Sequence, residues 1–177
     1  GIVLKLVSLY EKLKPQIGTL HKEVTFTVLN EIAHTATIIA KNTSLLTPEE
    51  FKDIKEIVFF SFGYESENEK SDDDEASPSR GYSPTPRINS AEALALIAAR
   101  ESSPENVNKV MQALEHPNGI VRFNGSRHLQ DIIESQETIF YPLLLRKIKT
   151  ERDAMIASSY LTSLSQIPYD EKKANEI

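Results

Sequence analysis

The sequence predicts an all-α protein, a fragment of a right-handed α-α superhelix built from helical hairpins. Three observations predict it. Apolar residues recur three and four positions apart, whereas strict alternation of apolar and polar residues is scarce. Six glycines and nine prolines fall mostly between those periodic segments. Two stretches of the second half match each other at a shift of 32 to 34 positions. That is the size of a helix pair that cannot bury both apolar faces alone and stacks on its neighbours.

The first helix is expected over Ile2–Lys14, with Leu6, Leu9, Tyr10 and Leu13 on one stripe, and Pro15 to Gly18 ends it. The second runs over Leu20–Lys41 with Val24, Val28, Ile32 and Ile39 at helical spacing, despite β-branched Thr25, Thr27 and Val28. Asn42-Thr43-Ser44 ends that helix. Thr47-Pro48-Glu49-Glu50 then supplies an N-cap, a proline in the first turn and acids at the positive helix end. The third helix follows through Phe51, Ile54, Ile57 and Val58 to about Phe62. After the next break, Asn89 or Ser90 is expected to cap a helix to Arg100. Ser103-Pro104 opens another, with Val107, Val110, Met111 and Leu114 on one face. His116-Pro117-Asn118-Gly119 reads as a tight turn. Helices are then expected over Ile120–Glu134, Thr138–Lys149 and Arg152–Ile167, with Pro168 ending the last and Asp170 to Ile177 starting a further segment.

The break between the halves has its own composition. Gly63 to Arg87 is almost free of apolar residues and centres on Ser71-Asp72-Asp73-Asp74-Glu75. Such a stretch cannot bury enough surface to offset its ordering entropy. The expected organisation is therefore a helical segment over 1–62, an acidic Ser/Pro-rich disordered linker over 63–88, and helical repeats over 89–177. The start, Gly1-Ile2-Val3-Leu4-Lys5-Leu6-Val7, reads as the middle of a helix, so a piece of a longer chain is expected.

The matching hairpins are Glu105–Glu134 and Thr138–Ile167. Leu129 pairs with Leu161 and Gly125 with Ala157 at a shift of 32, and Val110 pairs with Leu144 and Leu114 with Ile148 at 34. The stretch from Leu114 to Arg122 resembles the HEAT/armadillo-like family of helical repeats. Pro117, Val121, Arg122, Gly125 and Leu129 follow the order of the HEAT turn, in which Asp-Pro precedes Val-Arg, small residues and a leucine; His116 replaces the Asp. The second copy departs further, with Ala154-Met155 in place of Val-Arg and no proline in its turn. The resemblance spans residues 105–167. It implies a solenoid whose Arg122 supports stacking between repeats and whose function is to hold protein partners. A narrower resemblance, carried by Ala113-Leu114-Glu115-His116-Pro117, Val121-Arg122 and His128-Leu129, is to the large HEAT proteins of the small-subunit ribosomal processome. It implies ribosome biogenesis and a nucleolar location.

Composition sets limits on the alternatives. The net charge of −6 argues against a broad nucleic-acid footprint, which needs a basic face. With no cysteine there is no disulfide, thiolate nucleophile or Cys-based metal site. That fits an intracellular protein, nuclear, nucleolar or cytoplasmic. The apolar runs are too short to span a bilayer, so no membrane association is expected. His21, His34, His116 and His128 form no metal-binding pattern, and no metal or cofactor is expected. Asn124-Gly125-Ser126 lies within an expected helix and not on a nucleophile elbow. The acids from Asp72 to Glu75 lack the alternating spacing of a calcium loop. The chain is accordingly read as non-catalytic, the alternative being an enzyme with an unrecognised site.

Two sets of residues remain as candidates for function. Ser71 precedes four acids, and Ser77, Ser83 and Thr85 each precede proline, so all four match short kinase patterns. Arg146, Lys147, Lys149 and Arg152, with Arg122 and Arg127 of the neighbouring hairpin, would form a basic ridge if the hairpins stack. Such a ridge would suit RNA, in keeping with an RNA-associated scaffold. The plainer alternative is a solvated helix end whose cations face the negative pole of the helix.

Overall fold

The computed structural model describes residues 1–64 and 84–167, and among these every regular element is helical. The helices are α1 (Ile2–Leu13), α2 (Lys22–Ala40), α3 (Pro48–Gly63), α4 (Pro86–Arg100), α5 (Pro104–Leu114), α6 (Gly119–Ser126), α7 (Gln130–Ile133), α8 (Glu137–Thr150) and α9 (Ala154–Leu164). The sequence of 170–177 and most of the acidic stretch lie outside the described residues.

Several of these helices begin on a side-chain cap. Thr47, Thr85 and Ser103 each accept a hydrogen bond from the amide three residues on, and each is followed by proline at the first helical position. At Thr47 the box is reciprocal, since Glu50 also accepts from the Thr47 amide at 3.0 Å. Asn118 and Asp153 cap α6 and α9 in the same way as each other, each carboxamide or carboxylate oxygen accepting the amides two and three residues on. Between α1 and α2 the chain turns through Gly18, whose φ of 96° suits a residue without a Cβ.

The helices pack as successive pairs: α1 on α2, α3 on α4, α5 on α6, and α8 on α9. The second members also pack on one another in order, α2 on α4, α4 on α6 and α6 on α9. Helix α4 is the centre of this arrangement. It carries Ala91, Ala93, Leu94, Ala95, Ile97 and Ala98 around its whole circumference, all buried, because α2, α3, α5, α6 and α7 surround it. A helix that is small and apolar on every side belongs in an interior.

The structure departs from five expectations. First, the sequence places the linker over 63–88, but α3 continues to Gly63 and α4 begins at Pro86 on the Thr85 cap. Asn89 and Ser90 therefore lie inside α4 and do not cap it. Second, residues 1–62 and the described residues from 89 to 167 share one core, a single cluster of buried side chains running from Val3 to Tyr160. Third, the inward stripes shift. In α1, Val3, Leu6, Tyr10 and Leu13 are buried while Leu9 is exposed, and in α2, Leu29, Ile32, Ala33, Ala36 and Ala40 are buried while Val24 is exposed.

Fourth, the helix expected over Ile120–Glu134 is broken into α6 and α7. The amides of Arg127 and Leu129 bond to carbonyls three residues back, and the Ser126 hydroxyl donates to the Phe123 carbonyl at 2.7 Å. These tighter bonds end the α-helical ladder. Fifth, the match between the two hairpins falls at a different shift. The caps of α6 and α9 stand at Asn118 and Asp153, a shift of 35 and not 32. Leu129 is fully buried whereas Leu161 is 55% exposed, and the inward face of α9 is Ile156, Tyr160 and Ser163.

Candidate interaction surface

Polar side chains link each helix of the central row to its predecessor. Asn89 of α4 donates to Asn30 Oδ1 of α2 at 2.8 Å, and Thr37 of α2 donates to the Asn89 carbonyl at 2.8 Å. Asn124 of α6 donates to the Ile88 carbonyl of α4 at 2.9 Å. Ser159 of α9 lies 2.6 Å from the hydroxyl of Ser126 of α6. With the cap-to-cap shift of 35, Asn124 and Ser159 occupy equivalent positions, so the same site on each helix reaches back to the helix before it. Gly125 serves the packing within the hairpin: a Cβ there would lie 2.7 Å from Ala113 Cβ of α5.

A second set of contacts ties together the turns within successive hairpins. Arg87, at the start of α4, donates from Nε to the Phe62 carbonyl at 2.8 Å and places Nη1 3.2 Å from His116 Nε2. The next turn uses Arg122. Its Nη1 donates to the carbonyls of His116 and Pro117 at 2.9 and 2.6 Å. Its Nε and Nη2 grip Glu151 Oε2 and Oε1 at 2.9 and 3.0 Å. Glu151 belongs to the α8–α9 turn, and its carboxylate also accepts the amides of Arg152 and Asp153. Burial pushes the Glu151 carboxyl up, but the Arg122 hydrogen bonds and these amides outweigh it and hold it below its ordinary value. Arg146 Nη2 donates to Glu115 Oε1 at 2.7 Å across the same two hairpins. Pro117 lies in the turn between α5 and α6, and Val121 is buried on α6.

At the other end of α6 the break before α7 turns Arg127 and His128 toward Glu92 of α4. Lys41 Nζ, at the end of α2, lies 3.0 Å from Glu92 Oε1, and Arg127 Nη1 and His128 Nε2 each lie 3.3 Å from it. Asp131 Oδ2 stands 3.4 Å from His128 Nδ1. Burial pushes the Glu92 carboxyl up, yet the hydrogen bonds from His128 and Lys41 and the Arg127 charge hold it at about 2.

The expected ridge is thereby divided. Arg127 belongs to the Glu92 cluster, while Arg122, Arg146 and Lys147 lie together at the turn edge, with Lys149 in the last turn of α8 and Arg152 in the α8–α9 turn. Three of the six cations face carboxylates: Arg122 faces Glu151, Arg127 faces Glu92 and Arg146 faces Glu115. Lys149 and Arg152 are exposed. Lys147 is half-buried, and burial lowers its pKa, with Arg122 and Arg146 lowering it further.

Of the four candidate kinase sites, Ser71, Ser77 and Ser83 lie outside the described residues. Thr85 is buried, and its hydroxyl oxygen accepts the Ile88 amide at 3.1 Å. A kinase would have to open the first turn of α4 to reach it. Arg87 falls within the stretch that the sequence assigns to the linker, and no local pattern singles out Glu92. The run Thr85-Pro86 with Ile88 and Ala91 behind it was the available signal for the true helix start.

Among the described residues no group of three or more His, Asp or Glu side chains is placed to hold a metal ion, and no helix is long and apolar enough to cross a membrane. In comparisons with known proteins, no family model, no curated protein and no solved structure matches this chain.

Proposed function

We infer that the chain is a non-catalytic helical-repeat scaffold of the HEAT-like kind, which holds protein partners within a larger assembly. The observation that carries this reading is the recurrence of one connection: the arginines at the start of α4 and α6 each bond the end of their own hairpin and the turn of the next. Edge-to-edge ties of this sort make a stack of hairpins rigid, and a rigid stack offers an extended surface. The equivalent back-bonding of Asn124 and Ser159 points the same way.

An RNA-associated scaffold in small-subunit ribosome assembly is the second reading, favoured by the exposed Lys149 and Arg152. The pairing of Arg122, Arg127 and Arg146 with carboxylates weighs against it, because neutralised cations release few counterions from a phosphate backbone. Affinity capture with the intact chain, followed by cross-linking mass spectrometry with and without nuclease, tests the two. A defined protein set that cross-links to the helical faces and survives nuclease is the expected result. Recovery abolished by nuclease would favour RNA, and a chain recovered alone would count against both.

A further inference from the structure

The turn edge at the end of α8 carries more positive charge than its own acids can balance. The last turn of α8 and the two turns beside it carry five cations, Arg122, Arg146, Lys147, Lys149 and Arg152, and three carboxylates, Glu115, Glu151 and Asp153. All three carboxylates are already engaged. Glu115 holds Arg146, Glu151 holds Arg122, and Asp153 Oδ1 accepts the Met155 and Ile156 amides at the start of α9. Lys149 and Arg152 are exposed, and the Arg146 side chain is 64% exposed even with Glu115 against it. Arg122 fixes the two turns relative to each other, so the cations are displayed from an ordered edge.

We propose that this edge, formed by Arg146, Lys147, Lys149 and Arg152, is a docking surface for a short acidic segment of a partner protein. The proposal rests on the scaffold reading and names the chemistry of one partner contact. Charge complementarity is its first support: the positive patch stands out on a chain whose net charge is −6, and a local patch of this kind steers and orients an acidic ligand. The second support is exposure: Lys149 and Arg152 present their charges to solvent, and the half-buried Lys147, lowered first by burial and raised in part by Glu115, lies between Arg146 and the Arg122 fork. A peptide fits better than RNA for two reasons. No aromatic side chain interleaves the cations from Arg146 to Arg152 to stack a base, and the overall negative charge opposes a long polyphosphate.

The experiment measures fluorescence anisotropy of a fluorescein-labelled hexaglutamate peptide titrated with the intact chain at low and at physiological salt. Saturable binding that weakens with salt is expected. The pair Lys149→Glu with Arg152→Glu should weaken it by roughly tenfold or more. Lys41→Ala, at the distant Glu92 cluster, should leave it unchanged. Thermal melts of the double variant matching the parent establish that the hairpins remain packed. Absence of peptide binding, binding indifferent to the double reversal, or tighter binding of oligouridylate with the peptide excluded would each overturn the proposal. If nuclease-resistant capture of a protein set persists in the double variant, the scaffold reading stands and this edge is not its docking surface.

Discussion

Glu92 gathers three basic side chains from the elements packed against α4. It lies on α4 and draws in Lys41 from the end of α2 and Arg127 and His128 from the α6–α7 break. Its pKa of about 2 against an ordinary 4.5 makes it a pH-dependent contributor. The folded value is depressed, so its stabilisation is present above pH 4.5 and is lost as pH falls toward 2. Glu92→Gln should therefore lower stability at pH 7 by about 1–3 kcal/mol, since it leaves Lys41 and Arg127 facing a neutral group. The difference between parent and variant should shrink as melts are repeated from pH 4.5 down to 2. A difference independent of pH over that range would show that the carboxylate charge is not what matters.

Gly125 makes a prediction of the opposite sign to helix propensity. Alanine is favoured over glycine in a helix by about 1 kcal/mol. Here its Cβ would meet Ala113 Cβ at 2.7 Å, so α5 and α6 would have to separate. Gly125→Ala is expected to destabilise by about 1–3 kcal/mol in denaturant unfolding. Adding Ala113→Gly should recover part of the loss, because it removes the atom that clashes.

At the scale of the element, Thr85 shows how one dipeptide carries two meanings. Thr-Pro is both a kinase pattern and a helix start, and what decides between them is the chain that follows. Ile88 and Ala91 are apolar at helical spacing, and Thr85 caps the helix they belong to. Thr85→Ala should cost about 1 kcal/mol, and Thr85→Ser should restore most of it, as read from the unfolding midpoint. An unchanged midpoint in the alanine variant would remove the capping role.

The α8–α9 hairpin is held to its neighbour partly through the Arg122 fork on Glu151. Lysine can supply the charge but not two parallel N–H bonds together with the carbonyl contacts. Arg122→Lys is expected to destabilise by about 1–3 kcal/mol. In hydrogen exchange, the loss of protection should be concentrated in α8 and α9 and leave α2 to α4 as before. Uniform loss across the chain would mean that Arg122 supports the whole stack and not one junction.

At the scale of the molecule, burial separates residues that share an apolar character. Leu94 on α4 is enclosed on all sides, whereas Leu161 on α9 is 55% exposed. Leu94→Ala should lower stability by about 2–5 kcal/mol through the cavity it leaves. Leu161→Ala should fall within about 0.5 kcal/mol of the parent. Equal effects in denaturant melts would contradict the packing of α9 described above.

The sequence by itself determined that the chain is helical and where most helices start. Caps such as Thr47-Pro48 and Ser103-Pro104, and apolar residues three and four apart, act within a turn or two of chain and can be read locally. Only the tertiary structure decided the rest. Leu9, Val24 and Leu161 are as apolar as their buried neighbours, and which of them faces inward depends on where another helix lies. The shift of 35 between α6 and α9, the union of both halves around α4, and the gathering of charges on Glu92 and at the α8 edge all depend on residues far apart in the chain. Local periodicity sets the shape of a helix, but its rotation and its partners follow from the packing of the whole stack.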